Sequence, residues 1–80
     1  MVQTTPLPVH VAATITAAMT ERGISTRQMA ELTNQFVSRS TLLRKLHGEG
    51  YFDVRELAHI APHIGTTPSR ILAAAESRAA

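Results

Sequence analysis

The sequence predicts an all-α protein, a compact bundle of five helices, and three observations carry that expectation. Apolar residues recur at helical spacing in one segment after another, with serine, threonine or aspartate heading most of these segments and glycine closing several. No run alternates apolar and polar residues for long enough to make a strand. Eighty residues without a cysteine make one domain, 1–80, held together by packing alone, since disulfides and thiolate zinc sites are excluded. Residues 1–7 are expected to form a flexible arm and 77–80 a frayed end.

The first helix is expected over 8–22. Val11, Ile15, Ala18 and Met19 form its apolar stripe, Arg22 ends it, and Gly23 stops it in the left-handed position that glycine adopts most cheaply. Ser25 and Gln28 have the S-x-x-Q spacing of a capping box, which opens a short helix over 26–33 with Met29, Leu32 and Thr33 turned inward. Asn34, Gln35 and Phe36 make a turn. Ser38 is the next N-cap, for a helix that runs through Leu46 and stops at His47-Gly48. Asp53 and Glu56 form a second capping box, followed by Leu57, Ile60, Ala61 and Ile64 at helical spacing before Gly65. Pro62 removes a backbone donor late in that helix and predicts a kink or break there. Thr67 then caps a last helix with Pro68 at its first position, where a missing N–H costs nothing.

Charge adds a second kind of information. The formal net charge is only +2, too small by itself to imply a nucleic-acid partner. Its distribution is more specific: between Glu31 and Glu49 the chain carries Arg39, Arg44 and Lys45 and no acid, within the stretch VSRSTLLRKLHG at 37–48. On a helical wheel Leu42, Leu43 and Leu46 share one side, while Ser40, Thr41, Arg44 and Lys45 take the other. One side docks against a core and the other is free to meet a partner. A helix start also offers free N–H groups and a partial positive charge to phosphates or base edges. Two short helices joined by a tight turn, the second presenting small polar residues and arginines, form the helix-turn-helix arrangement for the DNA major groove.

The segments ISTRQMAELT (24–33), VSRSTLLRKLHG (37–48) and YFDVRELAHIAPHIGTTPSRIL (51–72) resemble the Cro/phage-repressor type of helix-turn-helix domain, also called the xenobiotic-response-element family. The similarity spans about 19–72. It rests on Ser25 opening the second helix, Ala30 as the small residue between the two helices, Val37-Ser38 entering the recognition helix, Gly48 behind it, and Glu56-Leu57, Ile60-Ala61, Ile64-Gly65 and Pro68 beyond. There are two departures: Asn34 takes the place of the usual turn glycine with Gln35-Phe36 as two extra residues, and Glu49 lies in a loop where relatives often carry lysine. Asparagine tolerates the left-handed conformation that such a turn uses. The resemblance implies a sequence-specific, double-stranded DNA-binding repressor with its recognition helix at about 38–47, acting as a dimer on a palindromic operator. A helical protein-interaction module, such as an antitoxin or accessory factor on the same fold, is the alternative.

Candidate base contacts are Arg39, Ser40, Thr41 and Arg44, the arginines because a guanidinium spans guanine O6 and N7; phosphate binding or plain solvation is the competing reading for each. Candidate phosphate contacts, which fix register without reading sequence, are Thr26, Arg27, Gln28, Ser38, Lys45 and Tyr51. The last helix offers Ile71, Leu72 and Ala75 as a pairing surface, or simply as a solvent-facing end. His59 and His63 have metal-ligand spacing but no evident third ligand, so no metal or cofactor is expected. Phe36, Tyr51 and Phe52 are expected to plug the core. No glycine-rich phosphate loop, carboxylate pair or nucleophile with a neighbouring base supports an enzyme. The opening MVQTTPLPVHVAATITAAM has no basic leader and is broken by threonine and histidine, so neither signal peptide nor membrane span is expected, and a bacterial cytoplasm suits the chain.

Overall fold

A computed structural model of the chain describes residues 6–79. Five α-helices follow one another: α1 Leu7–Arg22, α2 Thr26–Thr33, α3 Arg39–Leu46, α4 Val54–Ile60 and α5 Pro68–Ala79, with a 3₁₀ turn Ala61–Ile64 between the last two. No strand occurs among the described residues. Within the same residues no helix is long and apolar enough to cross a membrane. The first helix begins at Leu7, one residue ahead of expectation, so residue 7 belongs to α1; residues 1–5 of the expected arm lie outside the described residues. At the other end α5 continues to Ala79, through most of the stretch expected to fray.

Local chemistry sets most of the boundaries. Ser25 and Gln28 satisfy each other's backbone N–H groups at 3.1 and 2.8 Å, and Asp53 and Glu56 do the same at 2.7 and 2.8 Å. The Ser38 hydroxyl accepts the Thr41 N–H, and Thr67 accepts that of Arg70. The α-helical ladder of α4 ends at Ile60 and tightens into the 3₁₀ turn around Pro62, which is how the break expected from that proline is realised.

The core draws on every element: Val11, Ile15 and Met19 of α1, Met29 and Ala30 of α2, Leu42 and Leu46 of α3, Leu57 and Ile60 of α4, Ala61 and Ile64 of the 3₁₀ turn, and Ile71 and Ala75 of α5. Helix α1 is its spine, packing chiefly on α5 and also against α3 and the 3₁₀ turn. Three expectations are corrected. Leu32 is half exposed; the buried face of α2 is Met29, Ala30 and Thr33, and Leu32 falls about 100° from its centre at 3.6 residues per turn. Phe36 and Tyr51 lie on the surface, and of the three aromatics only Phe52 packs against the core. Asn34 is right-handed, with φ −62° and ψ −20°. The N–H groups of both Phe36 and Val37 reach the Thr33 carbonyl, at 3.0 and 3.1 Å, and the chain uses no left-handed residue there.

Gly65 closes the 3₁₀ turn with φ +66°, and the Arg22 guanidinium occupies the space where its Cβ would sit. Gly65→Ala is therefore expected to cost about 1–2 kcal/mol through left-handed strain, with the mobile arginine tip displaced rather than the backbone. Gly23→Ala, with φ +69° and open space, should cost a similar amount. Thermal melts of the two variants provide the comparison, and a Gly65→Ala protein as stable as wild type would refute the assignment.

Candidate nucleic-acid interface

Helices α2 and α3 form the helix-turn-helix pair. Met29 and Ala30 of α2 and Leu42 of α3 are at most 4% exposed; the small Ala30 side chain lets the two helices approach closely. With Leu42 and Leu46 committed to the core and Leu43 half-buried, α3 must turn its remaining side outward. Arg39, Ser40 and Arg44 are all exposed there, and among the described residues neither arginine is held in an ion pair.

The other candidates divide by what already occupies them. Thr41 is half-buried, and its hydroxyl oxygen accepts the Ser38 hydroxyl at 2.8 Å, so these two residues are tied into the start of α3. Thr26 and Arg27 are exposed at the first turn of α2; Arg27 is loosely paired with Glu31 at 3.8 Å, an exposed contact of little strength. Gln28 spends its amide oxygen on the capping box, which leaves its NH₂ group to donate. Tyr51 is exposed on the loop behind Gly48 and Gly50. Arg27 and Arg39 line one shallow cleft of about 170 Å³ together with Ala30, Glu31 and Asn34, so the fold brings the start of α2 and the start of α3 to a common cationic edge.

Lys45 is placed differently from expectation. Its ammonium donates to both carboxylate oxygens of Glu56, each at 2.7 Å, and sits 6.0 Å from the centre of the Phe52 ring. The side chains are only 20% and 9% exposed. A cation so held is neutralised within the molecule and is not a free phosphate donor. Glu56 was legible in the sequence only as the reciprocal partner of Asp53; a contact across eleven residues between two helices leaves no periodic signal. Asn34, which lines the cleft, was likewise not anticipated there. Ile71 and Ala75, at 2% and 0% exposure, are core residues, which removes them from the surface proposed for pairing and leaves Leu72 exposed at its edge. His59 is stacked on Phe36, and among the described residues no group of three histidine, cysteine or carboxylate side chains could hold a metal.

The fold is similar to that of a known regulator. Two crystal structures of the clp gene regulator ClgR from Corynebacterium glutamicum superpose on the chain, both at 20% identity. One gives a TM-score of 0.85 over the whole of both chains. The other gives 0.83 over 95% of this chain and 79% of that one. At such identity the likeness shows the fold. A search of curated protein sequences finds no match. The profile of the BetR domain matches residues 9–80, nearly the whole chain, and the chain thus belongs to the BetR domain family, a family of small helical DNA-binding regulator domains.

Proposed function

We propose that this domain is a sequence-specific reader of double-stranded DNA and acts as a transcriptional repressor of the Cro or immunity-repressor kind, with α3 in the major groove. Arg39, Ser40, Thr41 and Arg44 face the base edges, while Thr26, Arg27, Gln28 and Tyr51 hold the flanking phosphates; Ser38, whose hydroxyl proton goes to Thr41, serves as the cap of α3. The observation that carries the reading is the division of α3: two leucines locked into the core on one side and, on the other, two exposed guanidinium groups that have no ion-pair partner among the described residues. The helix-turn-helix likeness to ClgR, a clp gene regulator, supports the same direction. No chemical step is required, because occupying a promoter excludes polymerase. One short helix contacts only a few base pairs, so two copies on half-sites about one helical turn apart would supply the missing specificity.

The test begins with selection of a preferred sequence from random duplexes, followed by titration of the selected, half-site and scrambled duplexes at several salt concentrations. Arg44→Ala is expected to cost about 1–3 kcal/mol on the selected duplex, relax preference at one position and change scrambled binding little. Equal losses on both duplexes would assign Arg44 to phosphate. A wild-type protein with no preference among duplexes, or equal affinity for the half-site and the palindrome, would refute base reading or paired binding respectively.

A further inference from the structure

Among the described residues one side-chain ion pair joins α3 to another helix, and it lies one residue beyond Arg44. Lys45 Nζ is bound by both oxygens of Glu56 at 2.7 Å. Glu56 Oε1 is in turn fixed by the Asp53 N–H at 2.8 Å, and Asp53 Oδ1 accepts the Glu56 N–H at 2.7 Å. The carboxylate that grips Lys45 is thus anchored to the backbone at the start of α4 and has almost no freedom of its own. Apolar burial of Leu42 and Leu46 holds α3 down but is non-directional and permits rotation about the helix axis. Charge-assisted hydrogen bonds at a rigid acceptor are directional and oppose it.

That rotation decides what a guanidinium can reach. Arg44 and Lys45 are successive residues, about 100° apart around α3, so fixing one side chain's azimuth fixes the other's. A roll of about 10° displaces an atom at the side-chain radius of a helix, ~5–6 Å from the axis, by about 1 Å. The whole useful range of an N–H···O hydrogen bond is about half an ångström.

We propose that the Lys45–Glu56 pair sets the roll of α3 and thereby selects the base edges that Arg39 and Arg44 meet. Lys45 and Glu56 are positioning residues for specificity, and this role rests on the DNA-reading function proposed above. Glu56→Gln is the cleanest perturbation: the amide oxygen still accepts the Asp53 N–H, so the cap survives, while the second oxygen becomes an NH₂ and the negative charge is lost, leaving Lys45 one neutral acceptor in place of two charged ones. Lys45→Met keeps the apolar stem and removes the head.

The experiment titrates both variants and wild type against the selected and scrambled duplexes over a salt series, at a temperature where circular dichroism shows each protein folded. Both variants should lose discrimination between the duplexes by a factor on the order of ten, within the range of one good base contact. Glu56→Gln should also bind scrambled DNA more tightly, with a salt slope steeper by about 0.9, because its lysine is released to phosphate. Lys45→Met should leave scrambled affinity and slope as in wild type. A fall in scrambled affinity and slope for Lys45→Met would show a phosphate contact instead, and unchanged discrimination in both variants would equally overturn the inference. Failure of the underlying reading is distinguishable, since wild type itself would then bind both duplexes alike.

Discussion

Leu42→Ala is expected to lower the free energy of unfolding by about 2–5 kcal/mol. Leu42 is 0% exposed and belongs to the same core cluster as Met29 and Leu46. The eight residues of α3 are fewer than the ~12–15 that an isolated helix needs in water, so α3 exists because its apolar side is docked. A domain of this length has on the order of 4–12 kcal/mol to lose, at 0.05–0.15 kcal/mol per residue. The variant should therefore populate unfolded chain at physiological temperature and lose selected and scrambled DNA binding together, unlike Arg44→Ala. Leu43→Ala, on the half-buried edge, should cost less. Urea titration followed by circular dichroism measures both, and a loss below about 1 kcal/mol for Leu42→Ala would show that the site collapses or was never filled.

Ala75→Glu is expected to cost about 3 kcal/mol or more, because a carboxylate would be driven into a dry site without a partner. Ala75 is 0% exposed and lies on α5, the helix that forms the most extensive pairing with α1. The expected result is release of α5 from α1, with loss of helical signal and a lower melting temperature at every protein concentration. This outcome separates a core role from a subunit contact. If the substitution only reduced the molecular mass in solution and left the melting temperature of the monomer unchanged, Ala75 would belong to an interface.

What could be read from the sequence follows the range of the interaction. Ser25 with Gln28 and Asp53 with Glu56 are three residues apart, so their reciprocal caps are written into the chain, and with them the starts of α2 and α4. Pro62 is a local veto on a helical hydrogen bond and placed the break within two residues. The alanine-rich α5 was harder, because Ile71, Leu72 and Ala75 cover a broad arc and packing on α1 and α4 decides which part of it is inside. For Leu32, propensity to be buried was outvoted by the fit of Met29 and Thr33 against the core. Lys45 looked like its neighbour Arg44 on a wheel, and nothing local distinguishes a lysine that meets solvent from one that meets Glu56 eleven residues on. The docking side of α3 was thus legible, and the internal commitment of one of its cations was not.

The junction between α2 and α3 closes on a single acceptor, the Thr33 carbonyl, without a left-handed residue. Where a turn depends on positive φ, divergence is confined to glycine and a few tolerant residues. Here that restriction is lifted from Asn34, Gln35 and Phe36 and concentrated on Thr33, which is 1% exposed and whose own hydroxyl donates to the Met29 carbonyl at 2.9 Å. Substitution of Asn34 or Gln35 therefore meets no left-handed strain, and at Asn34 it changes the lining of the cleft between Arg27 and Arg39 without touching the Thr33 carbonyl that closes the turn; Phe36 is tied instead by its stacking on His59. The lining of that cleft and the closure of the turn are thus set by different residues.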